Sequence, residues 1–415
     1  MKVVIIGNGA AGNQAAETLR RLSQDVEISI YAGDAEPFYS ACALPDFLAG
    51  WIPRQQLFLK TPEKYVRQRI ELNCSEWVNK VEIDLKEIYT NRNIIKYDLL
   101  ILATGSRPLV PPIPGSRLPG NFVVKSPRDI DLLLEKRPRR AVVVGSGNIG
   151  VEVAEALQLK GCAATIIEMQ PRILPRLFDP YAAGLIQNLL EANGISVITG
   201  DQVLEVAGNE EVQGVITGAG FIPCEAVIWG VGAKPNINLA AAAGLQIGAL
   251  GAIKVDTYMR SSHPDIYACG DCVEVLDILS GQPTRSMLWS SAKIQAQAAA
   301  HHIIGQPVEY PGALNLMVEE LYGVPCLAAG IRGEELQDEG SVIEINEKGT
   351  YGRIILQDGR IAGLQTVGNL DACGAIIALM KKHTRVDEIK RIVSVPYMRE
   401  KAPWLLEVER RLVAQ

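Results

Sequence analysis

The sequence predicts an α/β fold: two three-layer domains, each a parallel sheet between helices, and a smaller α+β domain after them. Three observations predict it. An apolar strand, a glycine-patterned loop and a helix occur in succession twice, from Lys2 and again from Ala141. Further apolar runs that end in glycine stand where partner strands of a parallel sheet belong, at residues 97–105, 226–232 and 265–271. After Leu314 the pattern changes to short apolar runs between turn residues, which is the mark of antiparallel hairpins. The chain of 415 residues allows two to four domains at about 150 residues each. Apolar residues at 48% and charged residues at 21% exclude a disordered, collagenous or coiled-coil chain. With 41 basic against 47 acidic residues, the net charge of −6 lacks the basic excess of a nucleic-acid binder.

The first unit opens with Lys2–Ile6, apolar and β-branched as strands are. Gly7-Asn8-Gly9-Ala10-Ala11-Gly12 follows, then a helical stretch to about Leu22 and a second strand over Val26–Tyr31. The second unit repeats this with Ala141–Val144, Gly145-Ser146-Gly147-Asn148-Ile149-Gly150, a helix to about Lys160 and a strand over Ala164–Ile167 that ends at Glu168. In such a loop the first glycine makes the tight turn and the second lets the backbone approach a diphosphate. The third lets the helix pack on the strand. The helix N-terminus then presents unpaired N–H groups and the positive end of its dipole. One such loop can be a plain turn. Two, each between strand and helix, point to two dinucleotide sites in Rossmann-like domains. A carboxylate where Glu168 stands accepts ribose hydroxyls and repels a 2′-phosphate, so the second site is expected to take NAD(H) rather than NADP(H). The first unit has Ala32 in the comparable place, with Asp34 and Glu36 as alternatives for the ribose.

The remaining segments supply partners to these sheets. Tyr97–Leu102 runs into Ala103-Thr104-Gly105, and Ala226–Trp229 runs into a loop that includes Gly232. Asp265–Ala268 runs through Cys269 into Gly270-Asp271, a carboxylate beside a glycine after a strand. In this order the segments resemble the pyridine nucleotide–disulfide oxidoreductases, flavoproteins with two dinucleotide sites, from Gly7 to about Gly305. The resemblance implies FAD at Gly7, Gly9, Ala10, Ala11 and Gly12, with Ala103, Thr104, Gly105, Gly270 and Asp271 around it. It implies NAD(H) at Gly145, Gly147, Asn148, Ile149, Gly150 and Glu168, with Gly232 nearby and Glu152 close to the nicotinamide. Trp289–Ile303 would be a helix aiming its N-terminus at the isoalloxazine ring. The implied domains are an FAD-binding domain in two pieces (1–110 and 240–312), an NAD-binding domain (111–239) and a C-terminal interface or dimerisation domain (313–415).

Eight cysteines are scattered along the chain. No C-x4-C pair lies near the first helix, so a dithiol route of the glutathione-reductase kind is not expected. Cys269 and Cys272 form an isolated C-x-x-C, which reads as packing; no metal site is expected. Cys42, in Phe38-Tyr39-Ser40-Ala41-Cys42-Ala43-Leu44-Pro45, is similar to the single cysteine of the coenzyme A-disulfide reductases, NADH peroxidases and NADH oxidases. There the cysteine cycles through a mixed disulfide or sulfenic acid. The alternative is a small residue packing against the flavin. Three departures from that branch stand in the sequence: Ala10 in place of a loop histidine, Asn148 in place of a gating tyrosine, and a short C-terminal region. Val395-Pro396-Tyr397 is similar to the segment that carries a partner subunit's assisting tyrosine, so Tyr397 is a candidate catalytic residue or an interface tyrosine.

In the C-terminal domain Val342–Ile345, Tyr351–Leu356 and Ile361–Val367 read as strands, with a hairpin at Gln357-Asp358-Gly359-Arg360. Helices are expected at Asp371–Lys382 and Val386–Ile392, and an amphipathic tail from about Pro403. The four histidines have no ligand or catalytic spacing, and His301 and His302 are expected on the surface. No signal peptide and no membrane span are expected, because the apolar stretch Ile237–Ile253 is interrupted and alanine-rich. The expectation is a cytoplasmic protein with reduced thiols.

The sequence thus predicts an FAD-dependent NAD(H) oxidoreductase. Its second partner is a small disulfide or persulfide handled through Cys42, in a homodimer. The alternative is the NAD(H)-handling electron-transfer subunit of a larger iron–sulfur complex, with no catalytic cysteine. A nucleotide-sensing binding module is a third reading.

Overall fold

The computed structural model describes residues 1–336, 340–347, 350–371 and 373–385. The chain forms two compact units. The first comprises Met1–Phe47, Trp51–Arg107 and Ala233–Ala313; the second comprises Leu48–Gly50, Pro108–Gly232 and the chain from Leu314 onward.

The first unit is built on a five-stranded parallel sheet in the order Ile266–Ala268, Leu99–Leu102, Lys2–Ile6, Glu27–Tyr31, Ile70–Asn73. Val3, Val4, Ile5, Leu100 and Ile101 are fully buried. Strands covered on both faces read as continuous apolar runs, which is why this sheet is legible in the sequence. The helices Ala10–Leu22 and Trp289–Ile303 pack on each other. Alanines at the buried positions, Ala15 and Ala16 on one and Ala296, Ala299 and Ala300 on the other, let the two backbones approach closely.

The second unit carries another five-stranded parallel sheet, ordered Ser196–Thr199, Ala163–Glu168, Arg140–Val144, Ala226–Trp229, Asn121–Phe122. It also holds an antiparallel sheet in the order Leu316–Leu321, Val324–Gly330, Arg360–Val367, Thr350–Gln357, Ser341–Glu347, with helix Cys373–Lys381 packed on Arg360–Val367. The expected hairpin turn forms between the paired Gln357 and Arg360, with Asp358 and Gly359 both left-handed at φ 53° and 66°.

The structure departs from the sequence reading in a few places. The chain returns to the first unit at Gly232/Ala233, where the division was expected at 239/240. Ala233–Pro235 pairs with Ser106–Pro108, and Asn236 is bonded to Thr104 in both directions, at 2.9 and 2.7 Å. Several strands went unread, among them Ile70–Asn73, Ser196–Thr199 and Asn121–Phe122 in the parallel sheets, and the antiparallel pair Leu316–Leu321 and Val324–Gly330. The turn of that pair uses Tyr322 at φ 48°, a left-handed position where turn signals would lead one to look for Asn or Gly. The expected helix over Val386–Ile392, the tail from Pro403 and Tyr397 lie outside the described residues. Among the described residues, no helix is long and apolar enough to cross a membrane, and no group of three or more His, Cys, Asp or Glu is placed to hold a metal.

Candidate functional site

Both glycine loops follow a parallel strand and open a helix, and their sterics repeat. Gly7 has φ 115°, and a Cβ there would lie 2.1 Å from the Ala103 carbonyl oxygen. A Cβ on Gly12 would lie 2.0 Å from the Gly7 oxygen. In the second loop a Cβ on Gly145 (φ 94°) would lie 2.7 Å from the Gly230 oxygen, and one on Gly150 would lie 2.1 Å from the Gly145 oxygen. The outer glycines are therefore demanded by the fold itself. The middle ones are not: a Cβ on Gly9 or Gly147 would meet nothing within 4 Å. Each middle glycine caps its helix without a side-chain hydrogen bond to the first-turn N–H groups. Open space over uncapped helical N–H groups is the cradle a diphosphate requires, and both loops fit one.

Around the first cradle the structure gathers the loops after three neighbouring strands. Gly270, at φ 88°, stands where a Cβ would be 3.0 Å from the Ala11 Cβ. Its N–H donates to Gln295 Oε1 at 2.7 Å, from a glutamine fully buried on helix Trp289–Ile303. Asp271 Oδ2 accepts from Ser106 Oγ at 2.7 Å. Ala103, Thr104 and Gly105 lie between, so Gly7–Gly12, Ala103–Gly105 and Gly270–Asp271 converge at the C-terminal edge of one parallel sheet. That edge is where ligands of such sheets bind.

At the second cradle, Glu168 ends strand Ala163–Glu168 and is buried. Its Oε2 accepts from Ser146 N at 2.9 Å and Ser146 Oγ at 2.7 Å, and its Oε1 accepts from Gln170 N at 2.9 Å. The carboxylate is thus oriented by the loop's own second residue. Asn148 and Ile149 form the start of the helix, and Glu152 is half-buried one turn on. Gly232 has φ 101°, and its oxygen accepts from Leu109 N at 2.9 Å. In the first unit Ala32 is buried, and Glu36 is paired with Arg54 at 2.7 Å.

Cys42 lies in a single 3-10 turn, Ala41–Ala43, and is exposed. Its segment is fixed from both sides. Ser40 N donates to Leu57 O at 2.8 Å, and Leu59 N donates to Phe38 O at 2.9 Å. The Phe38 ring stacks on Trp289, with centroids 5.4 Å apart and planes 11° from parallel. Trp289 is the first residue of the helix that continues to Ile303. The other seven cysteines are buried or half-buried, and burial pushes their thiols up: Cys162 to about 11, Cys224 and Cys326 to about 12, and Cys74, Cys269, Cys272 and Cys373 in the same direction. Cys269 and Cys272 are fully buried, with the Cys272 thiol directed at the Leu102 and Cys269 oxygens at 3.5 and 3.4 Å. His301 and His302 are half-buried rather than on the surface. His302 Nδ1 is 2.7 Å from the Tyr267 hydroxyl, and its ring packs on Tyr258.

A polar cluster beside the first loop escaped the sequence reading. The Tyr65 hydroxyl lies 2.9 Å from Asn8 Oδ1 and 2.8 Å from Asn13 Oδ1, and Asn13 Nδ2 donates to the Asn8 and Gly9 oxygens at 2.8 and 3.3 Å. Lys60, 2% exposed, holds its Nζ 3.2 Å from Glu17 Oε1 and 4.1 Å from the Tyr65 ring centroid. Nothing in Leu57-Phe58-Leu59-Lys60-Thr61-Pro62-Glu63-Lys64-Tyr65 separates this lysine from a solvated one; only packing does.

Two diphosphate cradles on two parallel sheets define a two-dinucleotide oxidoreductase. The pyridine nucleotide-disulphide oxidoreductase family matches residues 1–296, and the chain belongs to it. The chain is 33% identical over 413 residues to an NADH oxidase of Methanocaldococcus jannaschii, with 92% of each covered. It is 30% identical over 397 residues to the nitrite reductase [NAD(P)H] of Bacillus subtilis, covering 94% of this chain and 48% of that protein. The structure of an NAD-dependent persulfide reductase from A. fulgidus superposes with a TM-score of 0.89 at 27% identity, over 94% of this chain and 79% of that one. The chain is an FAD-dependent oxidoreductase of NAD(H).

Proposed function

We propose that this oxidoreductase passes the electrons of NADH to the sulfur of a small persulfide or disulfide through Cys42. The carrying observation is that Cys42 alone among the eight cysteines is exposed, on a segment anchored to the helix beside the FAD cradle. FAD, when bound, would supply the two-electron chemistry that links NADH to sulfur. The residues of the first cradle hold its diphosphate, and Glu168 holds the ribose of the nicotinamide nucleotide. Cys42 Sγ attacks the inner sulfur of a persulfide RS–SH; the S–S bond breaks, hydrosulfide leaves, and a Cys42–S–S–R disulfide forms. Two electrons and two protons then return Cys42 to the thiol state and release RSH. The balance is RS–SH + NADH + H⁺ → RSH + H₂S + NAD⁺. The name of the solved relative, a persulfide reductase, supports this acceptor class.

The test is Cys42→Ser. NADH-dependent persulfide reduction is expected to fall at least about 100-fold, while NADH-dependent reduction of an artificial dye stays within twofold. Unchanged persulfide turnover in Cys42→Ser would leave the chain as an electron-transfer component without a working cysteine. That second reading has its own support in the Bacillus nitrite reductase, of which this chain spans about half.

A further inference from the structure

In a Rossmann-like domain the ribose of the bound dinucleotide is met past the C-terminal end of the strand next to the loop-bearing one. At the second cradle Glu168 stands there. At the first, strand Glu27–Tyr31 lies in parallel register beside Lys2–Ile6 and ends in Ala32-Gly33, which offer no polar side chain. What stands there is Trp77. A Cβ built on Gly33 would lie 2.0 Å from Trp77 Cε3 and 2.5 Å from Cζ3. The indole therefore rests against the Gly33 backbone, in the space that any other residue's side chain would need. It is nonetheless 63% exposed.

The ring's support is rigid. Trp77 N donates to Asn91 Oδ1 at 2.9 Å, and Asn91 N donates to Trp77 O at 3.0 Å. Ala32 N donates to Asn73 O, and Glu76 N donates to Ala32 O, both at 2.9 Å, so segment 73–77 is laced to the end of the strand. Glu76 is 3% exposed and accepts from Thr90 Oγ1 at 2.7 Å. A large apolar side chain held in place and left mostly in water is waiting for an apolar or π-faced partner. The base of a nucleotide whose diphosphate sits in the Gly7–Gly12 cradle is such a partner.

We propose that Trp77 is the adenine platform of the FAD site, holding by stacking the adenosine end that the absent ribose carboxylate leaves unheld, with Gly33 kept bare to admit the ring. The proposal rests on FAD occupying the first cradle. In apoprotein titrated by flavin fluorescence, Trp77→Ala should weaken FAD about tenfold, and Trp77→Phe should recover most of that. FMN, which has the isoalloxazine and lacks adenosine, should bind wild type and Trp77→Ala alike. FAD affinity in Trp77→Ala within twofold of wild type overturns the assignment, as does equal loss of FAD and FMN, which would mark a purely structural residue. Should Trp77→Ala not fold, Trp77→Phe decides: quenching of tryptophan emission by ADP must be smaller than in wild type, and equal quenching overturns the proposal. A wild-type chain that binds no FAD removes the first-cradle reading itself, which is a different result from unchanged affinity.

Discussion

Lys60 shows at the scale of one residue how packing rewrites a side chain. Burial lowers its pKa from 10.5, and the Glu17 carboxylate offsets part of that. The ammonium is desolvated for one partner that itself remains part-exposed. Breaking such a pair from one side costs more than replacing the buried charge with an apolar side chain of similar length. Glu17→Ala should therefore destabilise the protein by about 1–3 kcal/mol, and Lys60→Met should be neutral or stabilising, both measured by urea unfolding at pH 7. The pH dependence has a definite sign. Because the folded pKa lies below 10.5, the unfolded chain binds the proton more tightly, so stability rises with pH from the lowered value toward 10.5. Lys60→Met should flatten that rise; a slope that survives the substitution would trace it to other groups.

The two glycine loops are one element used twice, and their glycines differ in kind. Gly150 has a carbonyl oxygen where a Cβ would stand, while Gly147 has open space and φ −69°. Gly150→Ala should thus lower unfolding stability by about 2 kcal/mol through overpacking, whatever ligand is present. Gly147→Val should leave the melting temperature of the apoprotein within a degree or two and weaken NAD⁺ binding about tenfold or more, because its side chain enters only the space a diphosphate needs. Calorimetry of both variants with and without NAD⁺ checks this. If Gly147→Val destabilises the apoprotein as much as Gly150→Ala does, the loop's middle position is structural and the cradle reading of it fails.

Within the second unit the nucleotide-binding sheet and the antiparallel sheet are tied by a buried acid. Asp179, 1% exposed, caps helix Pro180–Ala192 through Tyr181 N and Ala182 N at 2.8 and 3.1 Å. Its other oxygen receives the Tyr351 hydroxyl at 3.0 Å and Arg353 Nη1 at 3.2 Å, and its own N–H donates to Gln365 at 3.0 Å. Asp179→Ala removes a cap and one of the two carboxylates on Arg353, leaving Glu344 at 3.4 Å, so it should cost about 2–4 kcal/mol. Asp179→Asn, which keeps the capping oxygen, should cost less. Equal losses in chemical denaturation would mean that the charge carries the whole effect and the capping oxygen none of it.

The α/β class, both loops and the hairpin at Asp358-Gly359 were determined by sequence alone, because each rests on a local requirement. The outer glycines meet a carbonyl in their own loop or in the adjacent one, a doubly covered strand must be apolar throughout, and a two-residue turn needs left-handed residues. Glu168 was legible for the same reason, as the last residue of a strand of known phase. Other features belong to the tertiary structure alone. Which of eight thiols reaches solvent, why Ala233–Asn236 joins the first unit, that Lys60 is buried and that Trp77 fills the place of a Gly33 side chain all depend on segments far apart in the chain. Burial and proximity are properties of what folds against a residue, and the residue's own neighbours in sequence carry no trace of them.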